Sequence, residues 1–171
     1  MDSKILKKQD NLFADIKTLI EQNKQQVSVM VNYTMTMLYW QIGKRIVTEL
    51  QDKDRSEIYR KEIVSKLCGD LSEEYGNTFA EKNIRRMMQF FSTFPEEKIV
   101  VSLIRQLSWT HILAIIPIED PLKRDFYIEM CRLEKWSVRT FRNRINSMLY
   151  ERTAISKKPE ETIGKKLEAK E

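Results

Sequence analysis

Residues 27–46 read VSVMVNYTMTMLYWQIGKRI. Val27, Val31, Met35, Leu38, Ile42 and Ile46 recur at spacings of four and three, so they share one helix face. Val29, Tyr33, Met37 and Trp40 line a second face. A helix that is apolar on two faces is buried on more than one side. The segment therefore predicts a central helix of an all-α domain. Residues 25–43 hold no charge over 19 positions, which is the length of a membrane span. Gln25, Gln26, Ser28, Asn32, Thr34, Thr36 and Gln41 interrupt that run and argue for a core helix, with no membrane partner.

Helical spacing continues on both sides. Upstream, Ile5, Leu12, Ile16 and Leu19 with Phe13 and Ile20 form a first stripe. Downstream, residues 51–56 (QDKDRS) make a charged connector. Ile58, Ile63, Leu67 and Leu71 mark a third helix that ends near Tyr75, where Gly76 suits a left-handed position. Thr78 and Glu81 have capping-box spacing and open a helix with Ile84, Met87, Met88 and Phe91 inward. Pro95 ends it, and residues 99–107 predict another short helix. Ser108 caps a helix that Pro117 stops, and Asp120-Pro121 starts one that runs to about Glu134. Ser137 caps the last, with Val138, Phe141, Ile145 and Met148 inward. The expectation is a compact all-α domain of six to eight helices over residues 1–152, with a helix-turn-helix-like unit at about 62–93. Residues 153–171 read as a charged tail or linker.

Composition narrows the function. A chain of 171 residues, 42% hydrophobic and 32% charged, fits one globular domain. Four Gly and four Pro argue against turn-rich β folds and rule out a Gly-rich phosphate loop. The start, MDSKILKKQD, lacks the apolar core of a signal peptide, so the expected compartment is the cytoplasm. Two Cys and one His are too few for a disulfide framework or a usual zinc site. Cys68 and Cys131 are expected to be buried free thiols, and His111 a structural hydrogen-bonder three residues after its cap. Trp109 and Trp136, each beside a capping serine, read as core anchors. The Glu-x-Lys fragments at 96–98 and 168–170 follow no aspartate-bearing strand and read as surface charge. The expectation is no catalytic set, no cofactor and no metal in this chain.

The net charge of +5 permits an acidic partner, and two faces carry it. On the helix after Gly76, Lys82, Asn83, Arg85, Arg86 and Gln89 lie outside the apolar stripe. Asn, Gln and Arg read base edges, and Lys and Arg hold phosphates. In residues 132–152, six Arg or Lys face two Glu, which accounts for +4 of the total. Arg139, Arg142 and Asn146 share one face there, with Arg144 nearby, and arginine favours bidentate phosphate or carboxylate partners. A solvated helix face, or salt bridging within the chain, is the alternative for both.

Residues 38–47 (LYWQIGKRIV) resemble the start motif of the YhcG-like nuclease family. The resemblance continues through 67–95 (LCGDLSEEYGNTFAEKNIRRMMQFFSTFP), 106–111 (QLSWTH), 124–131 (RDFYIEMC) and 136–159 (WSVRTFRNRINSMLYERTAISKKP). It implies an all-helical N-terminal domain of winged-helix or helix-turn-helix character, followed by a PD-(D/E)xK nuclease domain. No PD-(D/E)xK residue can be placed in this chain, so the expectation is a non-catalytic domain that positions a nuclease domain on nucleic acid, DNA in preference to RNA. The alternative is a protein-interaction or oligomerisation module, with a homodimer, or a partner nuclease domain or subunit, as its partner. The family tends to carry Gly-Phe-Ser where this chain has Thr78-Phe79-Ala80, so a serine cap is missing and Thr78 is the expected substitute. Asn83, Arg86 and Met87 lie in the family's Asn-Leu-x-x-Met-Arg-like run, with the Met/Arg order changed.

Overall fold

The computed structural model describes residues 2–51 and 56–154, with side chains from Asn11 onward. Among the described residues there are eight α-helices and no strand. They are α1 (Asp2–Leu50), α2 (Glu57–Tyr75), α3 (Glu81–Thr93), α4 (Glu97–Ile104), α5 (Trp109–Ile115), α6 (Pro121–Glu134), α7 (Val138–Asn146) and α8 (Leu149–Ala154). The all-α expectation holds. No described helix is long and apolar enough to cross a membrane.

The first stripe and the central helix are one continuous helix, α1. The polar run EQNKQQ at 21–26 breaks the apolar stripe but not the helix. Glu, Gln and Lys are good helix formers, and no Gly or Pro intervenes. At Val27, Val29 and Val31, which the two-faced reading places in the core, burial differs from the expectation. Residues 11–31 are exposed throughout, and the helix enters the core only from Asn32. There Thr36 is buried with its hydroxyl on the Asn32 carbonyl at 2.7 Å, and Trp40 is 1% exposed with its indole N–H on the Phe94 carbonyl at 2.8 Å.

The core lies on both sides of this inner half of α1. Tyr39, Ile46, Val64, Cys68, Ile84 and Met87 form a smaller cluster between α1, α2 and α3. Trp40, Phe90, Ile112, Tyr127 and Phe141 belong to the larger one, which α4 to α7 complete. α3 packs chiefly on α1 and only secondarily on α2. Gly43 makes that approach possible: a Cβ built there would lie 2.0 Å from the Met87 carbonyl oxygen. No side chain fits at such a separation.

Helix ends follow the expectation at Ser108, Asp120 and Ser137, and Ser56 is a further cap within the expected connector. Ser56, Ser108 and Ser137 accept backbone N–H groups as N-caps, and Asp120 accepts from Leu122 and Lys123 ahead of Pro121. Gly76 ends α2 at φ +86, though with ψ −176 rather than the left-handed helical value. Three details depart. The Thr78–Glu81 capping box does not form, because Asn77–Phe79 close a 3-10 turn and α3 starts behind Ala80, which has no side-chain oxygen. Ile58 is 70% exposed, since α2 turns Val64 and Cys68 inward instead. Met148 is 55% exposed, because the chain breaks between α7 and α8 and Met148 takes φ +54.

Residues 52–55 of the expected connector and the 155–171 part of the expected tail lie outside the described residues, as does the side chain of Ile5.

Candidate nucleic-acid interface

Helix α7 (VRTFRNRIN) is amphipathic by spacing alone. Phe141 is fully buried, and Val138 and Ile145 are half-buried beside it. Arg139, Arg142, Asn143 and Asn146 are exposed on the opposite side. Asn143 was not among the expected site residues, although its four-residue spacing from Arg139 puts it on that face. Arg144 does not share the face. Its guanidinium lies 5.7 Å from the Trp136 ring centroid, a cation–π contact at the edge of the core.

Two side chains from neighbouring helices fix α7 in place. The His111 ring packs edge-on against Phe141 at 5.8 Å. Its Nε2 lies 3.1 Å from the Trp136 carbonyl, which can only accept, so Nε2 carries the proton. Nδ1 in turn accepts from the Ser108 backbone N–H at 3.3 Å, completing a capping box with histidine in the usual Glu position. Tyr127 from α6 donates its hydroxyl to the Arg144 carbonyl at 3.3 Å and accepts the Tyr150 N–H at 3.1 Å, spanning the α7–α8 break. Burial lowers the His111 pKa. The Trp136 carbonyl partly opposes that shift, and the Arg142 charge adds to it.

The expected structural role of His111 is therefore what the geometry displays. Cys131 also points at the Trp136 carbonyl, with Sγ at 3.7 Å. Burial pushes its thiol up to about 11, and that of buried Cys68 upward as well. A thiol so shifted is protonated at neutral pH.

The two acids of this region are engaged elsewhere. Glu134 accepts the Trp136 indole N–H at 2.7 Å. Glu151 pairs with Lys123 of α6, which holds its carboxyl below the ordinary range. Among the described residues, no carboxylate pairs with Arg139 or Arg142.

Helix α3 carries the other set. Lys82, Arg85 and Gln89 are exposed, whereas Asn83 and Arg86 are half-buried. Arg85 Nε lies 2.9 Å from Glu81. Asn83 donates to the Asn77 carbonyl at 3.3 Å and accepts from Arg86 at 3.3 Å. Gln89 donates to the Ile116 carbonyl at 3.1 Å, at the C-terminal end of α5. Four of the five expected base- or phosphate-reading side chains of α3 thus have partners within the fold. α3 rests on α1, whereas α7 rests on α5, α6 and α8.

Comparison with known proteins places this arrangement. The model of a family described as "DUF1016 N-terminal domain" matches residues 15–152, from within α1 to within α8. A protein of Escherichia coli (strain K12) named "Putative nuclease YhcG" is 25% identical over 167 residues, covering 81% of this chain and 44% of its own length. The chain thus spans less than half the length of that curated relative. No solved structure matches significantly. With the family match covering most of the chain, the protein belongs to the DUF1016 N-terminal domain family.

Proposed function

We propose that this domain binds nucleic acid through the Arg139/Arg142/Asn143/Asn146 face of α7 and positions a nuclease domain on DNA, in preference to RNA. The observation that carries the reading is the pair Arg139 and Arg142. Both are exposed on a rigidly seated helix, and among the described residues neither has a carboxylate partner. Guanidinium groups held in this way suit phosphate oxygens bidentately. Asn143 and Asn146 add neutral hydrogen-bonding groups beside them. The α2–α3 helix-turn-helix-like unit is a secondary contact, with Lys82 as its available cation. The nuclease domain is the one that the name of the longer Escherichia coli relative implies. The compartment that fits two buried free thiols is the reducing cytoplasm.

Fluorescence anisotropy with labelled duplex and single-stranded DNA, at about 50 and 200 mM salt, tests this reading. Salt-sensitive binding that Arg139→Ala/Arg142→Ala weakens is the expected result. A folded protein that binds no DNA at the lower salt would instead favour a protein-interaction module.

A further inference from the structure

Among the described residues, the outer half of α1 has no partner: residues 11–31 are exposed throughout. Leu12, Ile16, Leu19, Val27 and Met30 recur at three- and four-residue steps, with Asn23 at the intervening step and Ile20 beside Leu19. The apolar members are each 47–70% exposed. They form two apolar segments, 12–20 and 27–31, on one face about 30 Å long, with Asn23 between them and Phe13 and Val31 on the margins. So many exposed apolar side chains on one helix face are unusual on a monomer and mark an interaction site. We infer that a second copy of this chain covers it, the two α1 helices pairing in parallel over residues 12–30.

Charge selects the occupant and its direction. Asp15 borders one edge of the stripe, while Lys17 and Lys24 border the other. In a parallel two-fold pair, each helix sets its Asp15 edge against the lysine edge of its partner. An antiparallel pair would set the two lysine edges against each other and leave Asp15 with no lysine opposite. Lys24 already pairs with Glu21 at 3.2 Å, but both are exposed, and such a pair adds little that competes.

The seam contains a polar residue as well. Asn23 falls between Leu19 and Val27, where its amide donates to the Leu19 carbonyl at 2.9 Å and leaves its oxygen facing out. A lone seam asparagine fixes register in parallel two-stranded pairs, because the two amides meet each other only in that alignment.

The area is adequate too. Burying eight half-exposed apolar side chains from each copy, at roughly 60 Å² apiece, removes on the order of 1,000 Å² in total, the lower bound of a specific interface.

Sedimentation equilibrium of the full chain, from about 5 to 200 µM, tests the pairing. A dimer is expected. Ile16→Glu/Leu19→Glu should convert it to a monomer while leaving the Trp40 and Trp136 fluorescence unchanged, since both indoles lie far along the chain in the core. Direction is read from single-cysteine variants. Leu12→Cys and Met30→Cys should each cross-link to their own kind, with buried Cys68 and Cys131 silent. A parent protein that stays monomeric at the highest concentration overturns the inference, and so does a dimer that the Glu pair leaves intact. Preferential cross-linking of Leu12→Cys to Met30→Cys overturns the parallel arrangement. None of these readouts depends on nucleic-acid binding.

Discussion

Helices α3 and α7 look alike in sequence. Each is short, strongly amphipathic and rich in Arg and Asn on its polar side. The structure separates them by what those polar groups already hold. On α3, Arg85, Arg86, Asn83 and Gln89 reach Glu81, a neighbouring side chain, a turn carbonyl and the end of α5. On α7, Arg139 and Arg142 have no described ion pair, and the nearby Glu134 and Glu151 are taken by Trp136 and Lys123. Residue type and helical spacing indicate which side chains lie on the polar face. Availability depends on partners that are distant in sequence, such as Ile116 for Gln89, 27 residues away.

The mounts of the two helices differ as well, and variants can separate them. The largest effect is expected at the seat of α3. Gly43→Ala would place a methyl 2.0 Å from the Met87 carbonyl, a backbone atom that cannot swing aside. Overpacking of this kind costs about 3 kcal/mol. Urea denaturation should show that loss with an unchanged slope. Wild-type stability would mean that α3 does not lie against α1 as described.

A smaller change of opposite sign is expected at the start of α3. Ala80 has φ −60 and ψ 153, the extended backbone an N-cap needs, but no oxygen to offer. Ala80→Ser should stabilise the domain by about 1 kcal/mol, measured by the same denaturation. A neutral or destabilising result would contradict the position of the α3 start.

The smallest effect concerns the mount of α7. Burial holds the His111 pKa below its ordinary 6.5, so the unfolded chain takes up a proton first as pH falls. Stability should therefore decline as pH drops below about 6.5 and level off once the folded imidazole also protonates. His111→Gln should flatten that part of the profile measured by thermal melting. A profile unchanged by the substitution would remove His111 from the account.

Much of this architecture was legible in the sequence. The caps at Ser108, Asp120-Pro121 and Ser137 are local signals, and each forms as read. The inward Phe141, Ile84 and Met87 follow from spacing. The length of α1 was not legible from apolar periodicity, because polar helix formers at 21–26 continue the backbone while interrupting the stripe. Nor was the exposure of residues 11–31, since a stripe that pairs outside the chain has the same spacing as one that packs within it. Gly43 could not be interpreted without Met87, 44 residues later, and Thr78 looked like a cap only until the 3-10 turn enclosed it. Of the candidate site, the α7 face was legible apart from Asn143. The internal engagement of the α3 face was not.

The most direct measurement compares the salt dependence of DNA binding for three proteins: the parent, Arg139→Ala/Arg142→Ala and Arg85→Ala/Arg86→Ala. If the α7 pair holds two phosphates, its loss should make the slope of log affinity against log salt shallower by about 1.8, while the α3 pair leaves the slope nearly unchanged. A slope that the α3 pair reduces and the α7 pair does not would contradict the assignment of the interface to α7.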